Sequence, residues 1–411
     1  MAAIAIDTPA ASAPVHWTRR ALAIVALCFA INMADGVDVT ILSFIAPRIQ
    51  SDWGIAADVM GTLFSAGLLG MAIGGMFIAP LADRLGRRRI ILAALLLMSI
   101  GMIASGFVTS VAQFFAMRVL VGAGIGTVLA AMAALAAEAA PDRHRNLAVG
   151  LVQAGYPFAA VFTGLIVAHL LPLYGWHVLL AAAGATTVLL FPIAWVLLTD
   201  AVPMDGETGG HRSGVGGLFA DEFRARTLAL WGAVFFGLMV LYFIVSWIPK
   251  LSIEAGLSET DGIYAGALYN LGAFIGTVAM SVLAVRVPLG RLVPTMLVCA
   301  AAAMFWFGAV AMPVGATMAN AFLIGMLLQG GYNGVWPLAA GTYPARVRAT
   351  GVGWAIGIGR SGAIVGPWLG GELMAAKVPL PVLFGAYCVP LLACATCAFL
   401  VNRVARRAAD A

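Results

Sequence analysis

The segment PDRHRNLAVG at residues 141–150 has a counterpart, PARVRATGVG, at residues 344–353. Five of the ten positions are identical, and each matched pair is 203 residues apart. Gly122 and Gly325 share this separation. Each segment is basic and lies between two long apolar runs. The repeat therefore predicts that the chain consists of two halves built from the same arrangement of elements.

The composition of the 411-residue chain indicates a membrane protein. Hydrophobic residues make up 62% of the chain and charged residues 10%, whereas a soluble domain carries about 25% charged residues. The formal net charge of +5 comes from arginines in short segments between apolar runs. This pattern is typical of membrane topology and argues against binding of nucleic acid. The five cysteines lie within apolar runs and are interpreted as packing residues.

The apolar runs predict an all-α membrane protein with twelve transmembrane helices in two six-helix pseudo-repeats. Backbone groups must be satisfied internally in lipid, which favours helices, and a spanning helix needs roughly 20 residues. The predicted spans are residues 21–45, 59–80, 90–109, 112–137, 146–170, 177–199, 227–249, 262–285, 291–312, 316–340, 350–374 and 381–402.

A polar, glycine-rich segment divides these spans six and six. We therefore predict an N-terminal bundle over 1–199, a cytoplasmic linker over 200–226 and a C-terminal bundle over 227–411. If both termini are cytoplasmic, 18 of the 23 basic residues lie on the cytoplasmic side. The positive-inside rule favours this orientation, and we expect a multi-pass protein of the bacterial inner membrane.

Charged residues inside predicted spans are costly and are therefore candidates for function. In the first span, Asn32, Asp35 and Asp38 are spaced by three residues and share one helix face. Arg118 in the fourth span lies at a depth similar to that of Asp38, which predicts an ion pair. A carboxylate that moves between a charge pair and a buried environment can take up and release a proton. We assign Asp35 and Asp38 to proton coupling, with a static structural pair as the alternative for Arg118.

Arg360 lies near the middle of the eleventh span. Leucines occupy the positions 203 residues after Asp35 and Asp38, so no matching acid is present in the second half. A guanidinium there suits a carboxylate held through two parallel hydrogen bonds. We predict that Arg360 binds a substrate anion, with a structural role as the alternative. Residues 357–362 also match G-x-G-x-x-G, but an apolar span without a preceding strand excludes a dinucleotide site.

Other polar and aromatic side chains inside spans are candidates for lining a cavity or for packing between helices. Amides would fix the polar groups of a planar ring, and aromatic side chains would stack on it. Together with the two arginines inside spans, the predicted substrate-binding residues are Arg118, Arg360, Gln153, Tyr156, Asn270, Tyr332, Asn333 and Trp336. Tyr242, Trp247, Tyr269, Gln329 and Trp354 are of the same kind. Trp247 lies near a span end, where an interfacial anchor is the alternative.

The segment DRLGRRR at residues 83–89 joins the second and third spans. A turn glycine flanked by opposite charges suits a latch between helix ends, so we predict a conformational latch at Asp83, Arg84, Gly86 and Arg87. Glu138, at the end of the fourth span, is placed to pair with Arg84 or Arg145.

These motifs resemble the major facilitator superfamily over nearly the whole chain. Asp83-Arg84-x-Gly86-Arg87-Arg88 is similar to its cytoplasmic loop signature, and Arg118 followed by Gly122 and Gly126 is similar to its fourth-helix motif. Asp35-Gly36-Val37-Asp38 resembles the D-G-x-D signature of the aromatic acid/proton symporters, which take up benzoate-like and hydroxybenzoate-like acids in bacteria. The resemblance implies the major facilitator fold and proton-coupled uptake through Asp35 and Asp38. It also favours roles for Arg118, Glu138 and Arg360, and we add Glu138 to the proton-coupling group.

We therefore expect a proton symporter of a small aromatic carboxylate, working by alternating access in the lipid bilayer as a monomer. Two transport alternatives stay open: a proton-coupled exporter of drugs or metabolites, and a symporter of another organic acid such as nicotinate. A sensor would need a substantial cytoplasmic output segment. The sequence has no nucleophile–base pair, metal-ligand cluster or cofactor loop, so an enzyme, a metal site and a cofactor are not expected.

Overall fold

The fold was analysed in a computed structural model that describes residues 17–141, 144–198, 221–342 and 345–409. All regular elements in these ranges are helical. The first half contains α1 (Arg19–Trp53), α2 (Ala57–Ile73), α3 (Ala82–Leu85), α4 (Arg87–Ser105), α5 (Val111–Ala139), α6 (Arg145–Gln153), α7 (Gly155–Val188) and α8 (Leu190–Leu197). The second half contains α9 (Asp221–Glu254), α10 (Glu259–Leu283), α11 (Leu289–Ala309), α12 (Val314–Asn333), α13 (Val335–Thr342), α14 (Ala345–Ala375) and α15 (Leu380–Ala409).

The predicted twelve-helix architecture is confirmed. Among the described residues, ten helical stretches are long and apolar enough to cross a membrane. One of them, Leu147–Leu197, has 51 residues and contains a non-helical residue, Gly175, with φ 71° and ψ 169°. It therefore supplies two spans, the predicted fifth and sixth. The 31-residue α14 supplies the eleventh span.

The predicted linker over 200–226 lies mostly outside the described residues, which omit 199–220. Its last part is helical, because α9 begins at Asp221. The division of the chain at this linker stays a prediction.

The two halves contact each other near one end of the bundle. We call the end at which α1 begins and α15 ends the terminal end, and the opposite end the far end. In the far half of α1 and α2, Ser43 Oγ donates to the Val245 carbonyl at 2.8 Å, and Ser65 Oγ donates to the Ile364 carbonyl at 2.7 Å. The rings of Phe64 and Trp247 meet edge-to-face at 5.1 Å between centroids. We call this set the far-end contact.

Towards the terminal end, the side of α14 that faces α2 is not covered by other described helices. Residues 353, 357 and 364 lie on one helix side because they are four and seven residues apart. Ile364 belongs to the far-end contact, whereas the Cβ positions at Gly353 and Gly357 have no described atom within 4 Å. Arg360 lies between Gly357 and Ile364 along the helix, and its Nη1 atom is 3.7 Å from the Met71 sulfur. The two halves are thus in contact at the far end and separate from each other on the terminal side of Arg360.

Gly86 forms the turn between α3 and α4. Its φ of 93° and ψ of 133° place it in a region of backbone conformation that residues with a Cβ rarely adopt. Glycine at this position therefore lets the chain reverse between the second and third spans.

We expect Gly86→Ala to destabilise the protein by about 1–3 kcal/mol, because a non-glycine residue held in a sparsely populated backbone region costs that much. Thermal unfolding in detergent measures the change. Gly385→Ala in α15 is the matched control, since its Cβ position has no atom within 4 Å and its φ is not positive. A melting temperature of Gly86→Ala equal to that of the control would contradict the role of the turn.

Candidate functional site

The two acids of α1 are brought to the site by a close approach between helices. A Cβ at Gly36, between Asp35 and Asp38, would lie 2.5 Å from the Tyr156 carbonyl oxygen. Glycine at this position lets α1 lie directly against α7. Asn32 Nδ2 adds a hydrogen bond of 2.6 Å to the Val152 carbonyl, next to the break between α6 and α7.

The ion pair predicted between Arg118 and Asp38 is present. Arg118 Nη1 donates to Asp38 Oδ1 at 2.7 Å, and the two side chains are 2% and 8% exposed. Arg118 Nη2 donates to Ser105 Oγ at 3.0 Å, and the Phe114 ring lies 5.5 Å from the guanidinium. Ser105 is a partner that the sequence analysis did not identify, because a serine ending an apolar helix has no distinctive pattern.

Asp35 differs from Asp38 in its partners. Asp35 is buried with 6% exposure, and its Oδ1 has no protein hydrogen-bond partner. Its carboxylate interacts electrostatically with Asp38 and with Arg360. The charge of Asp38 is therefore compensated by direct contact with Arg118, while the charge of Asp35 is compensated from a greater distance. Asp35 is the carboxylate whose protonation disrupts no ion pair.

Arg360 lies between the two halves. Its guanidinium lies near the Tyr242 hydroxyl and approaches the Met71 sulfur. Both are weak or neutral acceptors, and within the described part of the chain no carboxylate lies within ion-pair distance of Arg360. Arg360 therefore has positive charge available for an anion.

Four tyrosines from both halves surround these charges. Tyr156 and Tyr242 lie near each other and near Asp35. Tyr332 lies near Tyr242 and Arg360, and Tyr269 lies near Tyr156. The hydroxyls of Tyr269 and Tyr332 are buried without a protein partner, which is costly unless a ligand or water supplies one.

The remaining substrate-binding candidates are mostly engaged in helix contacts. Asn270 donates to the Gly266 carbonyl of its own helix at 2.9 Å, and Asn333 donates to Thr277 Oγ1 at 2.8 Å. Trp336 lies edge-to-face against Tyr332 at 6.0 Å. Gln153 is exposed at the end of α6. Their roles in binding stay predictions.

Trp247 is buried, with 0% exposure, and donates to the Pro367 carbonyl at 3.0 Å. The alternative of an interfacial anchor is therefore wrong for Trp247.

Glu138 lies with the predicted latch, far from the acids of α1. Its carboxylate accepts hydrogen bonds of 2.6 and 2.8 Å from Arg87, next to Gly86. Glu138 and Arg118 are 20 residues apart on α5, which corresponds to roughly 30 Å along the helix. The structure thus adds Arg87 to the predicted partners of Glu138, and α3 carries Asp83 and Arg84. The role of Glu138 in proton coupling stays a prediction.

A cavity of about 30 Å³ adjoins the Arg118–Asp38 pair. It lies between α1, α2, α5 and α9, and its lining residues are Asp38, Val39, Leu42, Phe64, Gly67, Leu68, Met71, Arg118, Gly122, Ile125, Tyr242 and Ser246.

The sequence matches the model of the Major Facilitator Superfamily over residues 27–367. The chain belongs to the major facilitator superfamily. This transporter is 30% identical to a gallate transporter of Pseudomonas putida over 93% of its own length and 92% of the relative's. It is 33% identical to the 4-hydroxybenzoate transporter PcaK of Pseudomonas aeruginosa, with 88% and 87% covered.

Solved structures agree on the fold of the transporter. The crystal structure of a D-xylose-proton symporter superimposes with a TM-score of 0.77 at 14% identity, covering 91% of this chain and 96% of that one. Family membership places the chain among membrane transporters and not among enzymes.

We expect Asp38→Ala to destabilise the transporter by about 3–5 kcal/mol, because it leaves the Arg118 guanidinium buried without its counter-charge. Thermal unfolding of Asp38→Ala, Arg118→Ala and the double variant forms a double-mutant cycle. We expect the double variant to lose less unfolding free energy than the sum of the losses of the two single variants. Strict additivity would show that the two side chains do not interact in the folded protein.

Proposed function

We propose that this transporter is a proton symporter that takes up a small aromatic carboxylate, such as a benzoate or hydroxybenzoate, by alternating access. The observation that carries the proposal is Arg360, a cation without an acidic contact partner in the described part of the chain, placed where the two halves part and close to Asp35. The similarity to transporters of gallate and 4-hydroxybenzoate supports an aromatic acid as the substrate.

Charge balance couples the two species in this proposal. A substrate carboxylate binds Arg360, and a proton binds the Asp35/Asp38 pair. Ions are costly in a low-dielectric interior unless they are paired, so the site closes most readily when both substrate and proton are bound. With one proton per monoanion the transport cycle is electroneutral. The two halves then rock around the site and expose it at the other end.

The phenols provide the remaining recognition. Tyr242 lies near Arg360 and lines the cavity beside Asp38, so it lies between the proposed anion and proton sites. Aromatic side chains contribute both ring contacts and a polar group. The free hydroxyls of Tyr269 and Tyr332 suit a substrate with polar ring substituents.

We also propose that the transporter is a monomer in the bacterial inner membrane with its terminal end in the cytoplasm. The residues of the site come from one chain, and the arginine-rich segments lie at the terminal end, as the positive-inside rule requires. The described conformation then faces the cytoplasm. Fusions of a green fluorescent protein and of alkaline phosphatase to the C-terminus report the side, and phosphatase activity would refute this orientation.

The function is tested by uptake into cells that express the transporter. We expect labelled 4-hydroxybenzoate, benzoate or gallate to accumulate against its gradient, and a protonophore to abolish the accumulation, because proton entry drives it. Inverted membrane vesicles resolve the direction. Accumulation that survives the protonophore would exclude proton symport, and absence of uptake of all three acids would exclude the substrate class.

Asp35→Asn tests the proton-coupling group. We expect accumulation to be lost, because asparagine is isosteric and cannot exchange a proton at this position, while exchange of labelled for unlabelled substrate persists. Glu372→Gln, at an exposed site near the far end of α14, is the matched control and should accumulate normally. Normal accumulation by Asp35→Asn would remove this residue from the mechanism.

A further inference from the structure

A second cavity, of about 190 Å³, lies between the two halves at the far end. Its walls come from α2 and α5 of the first half and from α14 of the second, and they include Ser65, Leu69, Phe115, Ile364 and Trp368. The hydrogen bond from Ser65 Oγ to the Ile364 carbonyl therefore joins two of its walls. We call this space the lateral cavity. Because both halves form it, the lateral cavity keeps its shape only while α2 and α14 are in contact at the far end.

The lateral cavity opens to the surrounding lipid. Leu69 and Trp368 in its walls are 39% and 43% exposed, and the far-end contact closes the centre of the bundle at this level. On α2 the lining runs from Thr62 to Leu69, which places it roughly 8 to 18 Å from the first residue of the helix. Since the hydrocarbon core of a bilayer is about 30 Å thick, the cavity lies within the hydrocarbon of the leaflet on the far side.

The walls of the lateral cavity suit an apolar ligand. Among the described residues that form them, none is ionisable. The two hydroxyls already donate to main-chain carbonyls, that of Ser65 to Ile364 at 2.7 Å and that of Thr62 to Asp58 at 3.0 Å. A carboxylate in this space would have no partner, which is costly, so the lining disfavours the transported acid.

The volume of the lateral cavity fits part of a hydrocarbon chain. At about 190 Å³ it is somewhat larger than the ~150 Å³ of an apolar cavity that binds benzene. An apolar cavity of this kind does not hold water. A chain that fills it gains dispersion contacts with the walls, which an empty space lacks. Lipid chains are the apolar molecules that surround a transmembrane protein at this depth.

We propose that the lateral cavity binds an acyl chain of a lipid in the far-side leaflet, and that the bound chain stabilises the conformation in which the far end is closed. A ligand that binds one of two conformations shifts the population towards that conformation. The chain contacts both halves only while the far end is closed, so it must withdraw before the far end opens. The proposal rests on the alternating access of the proposed function, and on neither the substrate nor the proton.

A close contact between α2 and α14 provides a variant that disfavours the closed far end. A Cβ at Gly61 would lie 2.8 Å from the Pro367 carbonyl oxygen and 3.1 Å from the Gly371 Cα. Gly61→Leu therefore cannot form this contact unless the two helices move apart. Gly385→Leu in α15 is the matched control, because the Cβ position there has no atom within 4 Å.

Binding is tested by photolabelling of the full-length transporter in vesicles of phosphatidylethanolamine and phosphatidylglycerol that contain a lipid with a diazirine in its acyl chain. We expect labelling at Ser65 and Ala66, which line the lateral cavity but are only 7% and 1% exposed. In Gly61→Leu this labelling should fall at least about five-fold, because occupancy follows the population of the binding conformation. Labelling at Phe305, which is 53% exposed on α11, should be equal in both proteins and in Gly385→Leu.

Stabilisation is tested by hydrogen exchange in vesicles with the same headgroups and either straight or methyl-branched phytanoyl chains. A branched chain is too wide for the cavity. We expect the amides of residues 57–66 and 364–371 to exchange at least about three-fold faster in the branched lipid, because loss of a bound ligand raises the population of the open state. In Val365→Phe, whose added ring occupies the lateral cavity, the two lipids should give equal exchange.

Labelling confined to the exposed Leu69 and Trp368, without Ser65 or Ala66, would overturn the proposed site, because the chain would then only cover the outer surface. Equal labelling of Ser65 in the wild type and Gly61→Leu would also overturn it. A lipid effect on exchange that persists in Val365→Phe, or that is absent from the wild type, would overturn the stabilisation. These measurements involve no transport, so they leave the proposed symport untouched, whereas failure to take up any of the three acids would contradict only the proposed function.

Discussion

The Arg118–Asp38 ion pair is the constraint around which the first half of this transporter is organised. A guanidinium and a carboxylate that lie in transmembrane helices and are almost fully buried are tolerated only in direct contact with each other. The contact fixes the depth of α1 relative to α5, and the hydrogen bond to Ser105 ties α4 to the same point. Gly36 then allows α7 to close on the other side of α1. The pair therefore sets the position of Asp35, one turn away.

The arrangement separates two kinds of charge. Asp38 and Arg118 neutralise each other within the first half, whereas Asp35 in the first half and Arg360 in the second interact electrostatically without direct contact. A proton on the first and an anion on the second would complete the neutralisation. Arg360 lies where the halves part, so a change in the charges around it acts on the region that must move during alternating access. This position links electrostatics to conformational change.

The two ends of the bundle are built differently in the described conformation. At the far end, hydroxyls donate to main-chain carbonyls of the other half. Such hydrogen bonds involve no ions, so they can break and re-form with water at small net cost. At the terminal end the exposed Arg87–Glu138 pair holds elements of one half together. The hydrogen bonds between the halves are thus weak enough to be replaced by hydrogen bonds to water. The ion pairs, which would be costly to break, lie within one half.

The sequence predicted the number of spans, the internal repeat and the charged residues inside the membrane, because long apolar runs in lipid must be helical and the few charges within them are distinctive. It also predicted the pairing of Asp38 with Arg118, since both lie at similar depth in their helices. It did not predict Ser105 as a third partner, the contact of Glu138 with Arg87, or the position of Trp247 between the halves. These contacts, the closed end and the cavity behind it depend on the packing of the helices. The spacing of residues defines which face of a helix they share, whereas the rotation and crossing of each helix against its neighbours define which residues that face contacts.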